Sequence, residues 1–150
     1  MPGFSGKYYY TLDDKGRLMV PAPFRETIVS NFGPKLIVTN SAFDECLCIY
    51  PFEEWVRLED KVKGLPRSEK AVRYFLRRVI ASAVETELDK QGRILVPSAQ
   101  RQDAKLNGEV VLVGQVEMIE LWGKDAWAVE TDPSRIDRAS LESALGKYGI

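Results

Sequence analysis

Histidine is absent from all 150 residues. Without it, Ser-His-Asp and Cys-His nucleophilic sites are excluded in their common forms. Only two cysteines occur, Cys46 and Cys48, one residue apart. On a strand such a pair shares a face and is poorly placed to bridge to itself. A disulfide framework is therefore not expected, which fits a reducing compartment. As zinc ligands the pair would need at least two more donors, and the chain holds no further Cys or His. Both thiols are expected to be buried as small apolar groups. Long hydrophobic runs are missing as well: stretches such as Val110–Val113 fall far short of the roughly 20 residues that cross a bilayer. Met1 to Lys7 shows no apolar region behind a basic start, so no secretory signal is expected. Finally, neither sign of charge prevails. Lys and Arg number 21 against 22 Asp and Glu, for a net charge of −1 and a pI near 5.6. A nucleic-acid binder is commonly basic, so any such role here has to rest on where the charges lie.

What the chain does hold is a repeat. The composition, 45% hydrophobic and 29% charged, supports a packed core rather than disorder. Residues 12–25 read LDDKGRLMVPAPFR and residues 88–101 read LDKQGRILVPSAQR, with seven of the fourteen positions identical at an offset of 76. Farther along, LCIYPFEEW (47–55) aligns with IELWGKDAW (119–127) at an offset of 72, placing Tyr50 over Trp122 and Trp55 over Trp127. Head and tail of one unit both recur, the mark of an internal duplication. Those four aromatic residues, recurring in place, are expected in the core.

Each unit reads alike. An alternating segment (7–12; 83–88) leads into Asp-x-x-Gly, and the chain turns back through Arg-x-x-Val-Pro. Asp13 opening and Gly16 closing the turn, like Asp89 and Gly92 in the second unit, predict a tight hairpin with glycine at positive φ. Pro21 and Pro97 end the returning strand, because proline has no N–H for the ladder. Short helices are predicted over 23–31 and 98–106. Strand pairs follow at 35–39 with 46–50 and at 109–113 with 118–122, and further helices begin near Pro51 and Lys124. Between the units, Ala71, Val72, Phe75, Leu76, Val79, Ile80 and Ala83 keep helical spacing, which predicts one amphipathic helix over 67–83. Residues 132–150 read as a loose, mixed-charge helix.

A unit of about 45 residues seldom buries enough surface to fold alone, and an isolated hairpin is marginal in water. Each copy has the other tethered beside it. The expected fold is therefore α+β and β-rich: two tandem units with exchanged hairpins, forming one pseudo-twofold, barrel-like body with flanking helices. The divisions are repeat one at 7–53, connecting helices at 54–82, repeat two at 83–126 and a C-terminal helical tail at 127–150.

The paired Leu-Asp-x-x-Gly-Arg-x-x-Val-Pro segments, with Phe4-Ser5-Gly6-Lys7-Tyr8 ahead of them, Ser82-Ala83-x-Glu85 between them and Leu121-Trp122 to Trp127 at the end, closely resemble the MraZ family of bacterial regulators. The unit is similar to the swapped-hairpin DNA-binding module of AbrB-like regulators. Gln100, at a position usually apolar, and Pro2-Gly3, which lengthen the start, are small departures. The resemblance implies a transcriptional regulator that binds short repeats near the promoter of the cell-division and cell-wall gene cluster, as a ring of several subunits. It implies double-stranded DNA and further copies of the chain as partners, with no cofactor, metal, membrane or small-molecule substrate, and a cytoplasmic, nucleoid-associated location. The DNA-contacting arginine falls on Arg17 and Arg93.

Physically, an arginine fork on a rigid turn suits a phosphate or a guanine edge. Lys15 and Lys7 accompany Arg17. Lys90 and Gln91 accompany Arg93, and Gln91 has the chemistry to read adenine. Two such loops suggest two pseudo-symmetric faces, of which one need engage. Arg25 and Arg101 serve equally well as DNA contacts or as cover for apolar surface. Residues 57–78 hold eight basic and three acidic side chains, either a solvated face or added positive potential. Two other readings compete: an antitoxin-like protein-interaction module, and a carboxylate enzyme using Glu85, Glu87 and Asp89 on one strand.

Overall fold

Three aromatic residues in a row, Tyr8 to Tyr10, build β1 (Lys7–Thr11), whose side chains alternate between exposed and half-buried, and a turn at Asp13–Gly16 delivers the chain into β2 (Arg17–Met19). Pro21 then precedes α1 (Ala22–Asn31), which buries Phe24 and Ile28. The apolar runs that follow form β3 (Lys35–Asn40) and β4 (Leu47–Pro51), and Pro51 leads directly into α2 (Phe52–Lys63). After α3 (Lys70–Arg78) and a 3-10 turn at Ile80–Ser82, the second unit repeats the order. Its elements are β5 (Val84–Glu87), β6 (Arg93–Leu95), α4 (Ser98–Asp103), β7 (Glu109–Gly114), β8 (Ile119–Gly123) and α5 (Lys124–Glu130). A 3-10 turn at Pro133–Arg135 and α6 (Arg138–Gly146) complete the chain. This computed structural model describes residues 3–150; Met1 and Pro2 lie outside the described residues.

The fold is α+β, and the two units interleave. The main sheet runs β1-β7-β8-β4-β3-β5, and β2 pairs with β6 in a separate ribbon. Exchanging each strand for its counterpart in the other unit reverses the sheet order and leaves the ribbon unchanged, which is a pseudo-twofold relation. The exchange is concrete: β1 pairs antiparallel with β7 (Tyr9 opposite Val111), and β5 with β3 (Ile37 opposite Glu85). The predicted hairpin is thus corrected in part. The turn is tight, but β1 and β2 diverge after it, because each has its ladder partner in the other unit. The main sheet ends in edges at β1 and β5, with no ladder joining them.

Leu12, Leu18, Val20 and Val38 from the first unit share one buried cluster with Ile94, Val96, Leu112 and Leu121 from the second. Two smaller clusters repeat each other: Tyr50 packs on Trp55 with ring centres 5.5 Å apart, and Trp122 on Trp127 at 5.7 Å. Cys46 and Cys48 are free and buried. Hydrogen bonding to Cys48 and burial push the Cys46 thiol far above its usual range.

Two helices are shorter than their sequence pattern. The stripe over 67–83 becomes a helix only from Lys70 to Arg78; beyond it the Val79 carbonyl accepts from the buried Thr39 hydroxyl at 2.5 Å and from the Ser82 N–H at 3.2 Å, as the chain tightens into a 3-10 turn before β5. The helix at Ser98 stops at Asp103 rather than near Leu106. There Lys105 adopts a left-handed φ of 53°, and the Leu106 N–H donates back to the Arg101 carbonyl at 2.8 Å, a closure that ends a helix.

Candidate nucleic-acid interface

One carboxylate organises each turn. Asp13 Oδ1 accepts from the backbone N–H of Lys15 (3.0 Å) and of Arg17 (2.8 Å). Its Oδ2 accepts from Arg17 Nε at 2.7 Å. Asp89 repeats this with the N–H groups of Gln91 (2.8 Å) and Arg93 (2.9 Å) and with Arg93 Nε at 3.2 Å. Bonds from those backbone N–H groups, foremost Arg17's at Asp13 and Arg93's at Asp89, hold both carboxyls below the ordinary carboxylate range. Asp13 and Asp89 therefore build the turn and aim the arginine together. The acid takes only Nε, so among the described residues the Nη edge of Arg17 has no acidic partner, and its side chain is 40% exposed. Arg93 is 28% exposed, and one of its Nη groups donates to Gln91 Oε1.

The glycines close the turns at φ +85° (Gly16) and +81° (Gly92), the left-handed region that glycine enters without penalty. Each also leaves room for an arginine of the other unit. A Cβ on Gly16 would lie 2.9 Å from Arg101 Nε, and one on Gly92 would lie 2.7 Å from Arg25 Cδ. Arg25 Nη1 donates to the Val20 carbonyl at 2.6 Å, and Arg101 Nε to the Val96 carbonyl at 3.1 Å. The sequence left these two residues undecided between DNA and apolar cover. The structure brings both to the turns, and the equal offset of 76 within the repeat was the available sign.

Pairing of β2 with β6 sets Arg17 opposite Leu95, Leu18 opposite Ile94 and Met19 opposite Arg93. Leu18 and Ile94 point into the core. Arg17, Met19, Arg93 and Leu95 therefore share the outer face of one ribbon, because side chains alternate. The two arginines lie diagonally across the pseudo-twofold axis, on one face rather than the two that the sequence suggested. Counting the turns and Arg25 and Arg101, this region holds six basic and three acidic side chains within a chain of net charge −1. That is a local excess of three positive charges.

The remaining predicted residues divide. Lys15, Lys90 and Gln91 lie in the turns. Lys7 starts β1, roughly 15–20 Å of strand from the turn, with its ammonium 6.0 Å from the Trp127 ring centre. In the basic segment 57–78, Arg57 pairs with Glu53 and Glu54, and Arg78 grips Asp103 bidentately at 2.7 Å. Glu85 and Glu87 lie exposed on the edge strand β5, and Glu85 faces Lys35 at 3.7 Å.

Fold and face together define a duplicated, strand-exchanged α+β protein with an arginine-bearing ribbon on the axis between its halves. Comparison with known proteins gives the same class a family. The model of the MraZ protein family, whose description carries the words antitoxin-like, matches residues 4–78 and again residues 79–143. The chain is 38% identical over 145 residues to the transcriptional regulator MraZ of Caldanaerobacter subterraneus subsp. tengcongensis, covering 97% of this chain and 98% of that one. With the transcriptional regulator MraZ of Desulfitobacterium hafniense it shares 40% identity over 147 residues, 98% and 99% of the two chains. With that of Pseudomonas fluorescens it shares 44% over 124 residues, 83% and 82%. The chain belongs to the MraZ family.

Proposed function

We propose that this protein is a DNA-binding transcriptional regulator that docks the outer face of its β2–β6 ribbon into a DNA major groove. The observation that carries this reading is the common face of Arg17 and Arg93, each aimed by an aspartate and backed by Arg101 and Arg25. A two-stranded ribbon fits the major groove, where an arginine fork reads guanine O6 and N7 bidentately. Lys15, Lys90, Arg25 and Arg101 supply phosphate contacts, and Gln91 supplies an amide for an adenine edge once it releases Arg93. Lys7 reaches only flanking backbone. Transcriptional regulator is also the name its relatives carry.

A single nearly neutral subunit makes few phosphate contacts, so the reading includes avidity: a ring of subunits on spaced promoter repeats of the cell-division and cell-wall gene cluster. Two features support assembly. The edges β1 and β5 offer unpaired backbone groups at opposite ends of the sheet. The tail leaves Val129, Ile136, Leu141, Tyr148 and Ile150 exposed, apolar surface that a neighbouring subunit would cover. The same tail would serve the antitoxin-like alternative if it captured a foreign protein.

The test is a gel shift on the DNA upstream of the protein's own gene, over a salt series, with the particle mass measured in parallel. Expected are binding that weakens steeply with salt and a multimeric mass without added protein. Absence of binding at low salt would overturn the DNA reading. A monomer would overturn the ring.

A further inference from the structure

The ribbon's outer face holds two side chains that an electrostatic grip leaves unused, Met19 and Leu95. Leu95 is 54% exposed, although its neighbours Ile94 and Val96 are buried. Strand register sets it directly opposite Arg17, and sets Met19 opposite Arg93. Opposed residues in an antiparallel pair hold their Cβ atoms roughly 4.5–5.5 Å apart, so each guanidinium has one apolar neighbour. The two differ in cover. Met19 is half-buried, with its sulfur 3.5 Å from Arg25 Nη1. Leu95 is the more exposed of the two, at the end of β6 across from Arg17.

An apolar side chain on such a face adds nothing to the core. In a major groove it has a specific complement, because the 5-methyl group of thymine is the one apolar mark among the base edges. The hydrogen bonds of a guanidinium go to guanine O6 and N7, not to that methyl. We propose that Leu95 is a specificity-determining residue that packs on a thymine methyl, within one or two base steps of the base held by Arg17. The spacing follows from the cross-strand separation set against the roughly 3.4 Å rise per base. Met19, held by Arg25, is the weaker counterpart beside Arg93. This inference rests on the DNA-binding reading above.

Upstream DNA amplified with deoxyuridine in place of thymidine loses only the methyl groups and keeps its pairing and charge. Wild-type protein is titrated against thymine and uracil versions of the same fragment, and Leu95→Ala likewise, with particle mass and circular dichroism recorded for both proteins. The wild type is expected to bind uracil DNA roughly fourfold more weakly for each methyl contacted. Leu95→Ala is expected to discriminate less than the wild type, by about the fourfold of one lost methyl contact and retaining only the weaker contribution of Met19, with mass and spectrum unchanged. Equal wild-type affinity for the two versions overturns the proposal. So does a Leu95→Ala variant that discriminates as strongly as the wild type, or one whose particle mass falls, which would make Leu95 a subunit contact. A wild type that binds neither version overturns the DNA reading and this inference together.

Discussion

Asp13 and Asp89 each do two things with one carboxylate. One oxygen fastens two backbone N–H groups of the turn, and the other fixes an arginine Nε. Both groups have a folded pKa below the unfolded value, so their contribution to the turns is complete above the ordinary carboxylate range near pH 4. It disappears only as pH falls through the lower folded values. Between pH 5 and 8 the turn contribution is expected to be flat, and Asp13→Asn is expected to narrow the difference in stability between pH 3 and pH 6, read by urea denaturation. The arginines are not equivalent. Arg17 keeps an open Nη edge, whereas Arg93 also donates to Gln91. Arg17→Ala is expected to lose about 1–3 kcal/mol of DNA affinity, and Arg93→Ala less, in parallel binding titrations.

The two turns also differ as elements. An alanine at either glycine meets the left-handed φ, a strain of about 1–3 kcal/mol. At Gly16 the new Cβ would also lie 2.5 Å from the Val96 carbonyl oxygen, a backbone atom, whereas at Gly92 the nearest atoms belong to the flexible Arg25 side chain. Gly16→Ala is therefore expected to lower the melting temperature more than Gly92→Ala. Buried Gln100 of α4 donates at 2.8 Å to both the Val38 and the Ser82 carbonyls, joining the second unit to β3 of the first. Gln100→Leu leaves those two acceptors without this donor and is expected to cost about 1–3 kcal/mol in chemical denaturation. These elements show what was legible. Turns, strands and the sites of Arg17 and Arg93 are written in local residue types, which the repeat displays twice. Arg25 reaching Gly92, Arg101 reaching Gly16, and the separation of β1 from β2 depend on contacts between units, which no local pattern encodes. The end of α3 is likewise met by a distant residue, Thr39, whose hydroxyl donates to the Val79 carbonyl from 40 residues upstream.

For the molecule as a whole, strand exchange makes the halves inseparable. Neither β1 nor β2 has a partner within residues 4–78, so that segment alone is expected to stay unfolded or to pair with a second copy of itself. The full chain is expected to unfold in one calorimetric transition, because one core draws on both units. The same exchange gathers positive charge from a nearly neutral chain onto one ribbon, and on that concentration the DNA reading depends. The most direct test is a salt-dependent binding titration of the double variant Arg17→Ala, Arg93→Ala on the protein's own upstream DNA, beside the wild type. Loss of binding at every salt concentration, with the circular dichroism spectrum and particle mass intact, is the predicted result. Wild-type affinity and an unchanged salt slope in the double variant would contradict it.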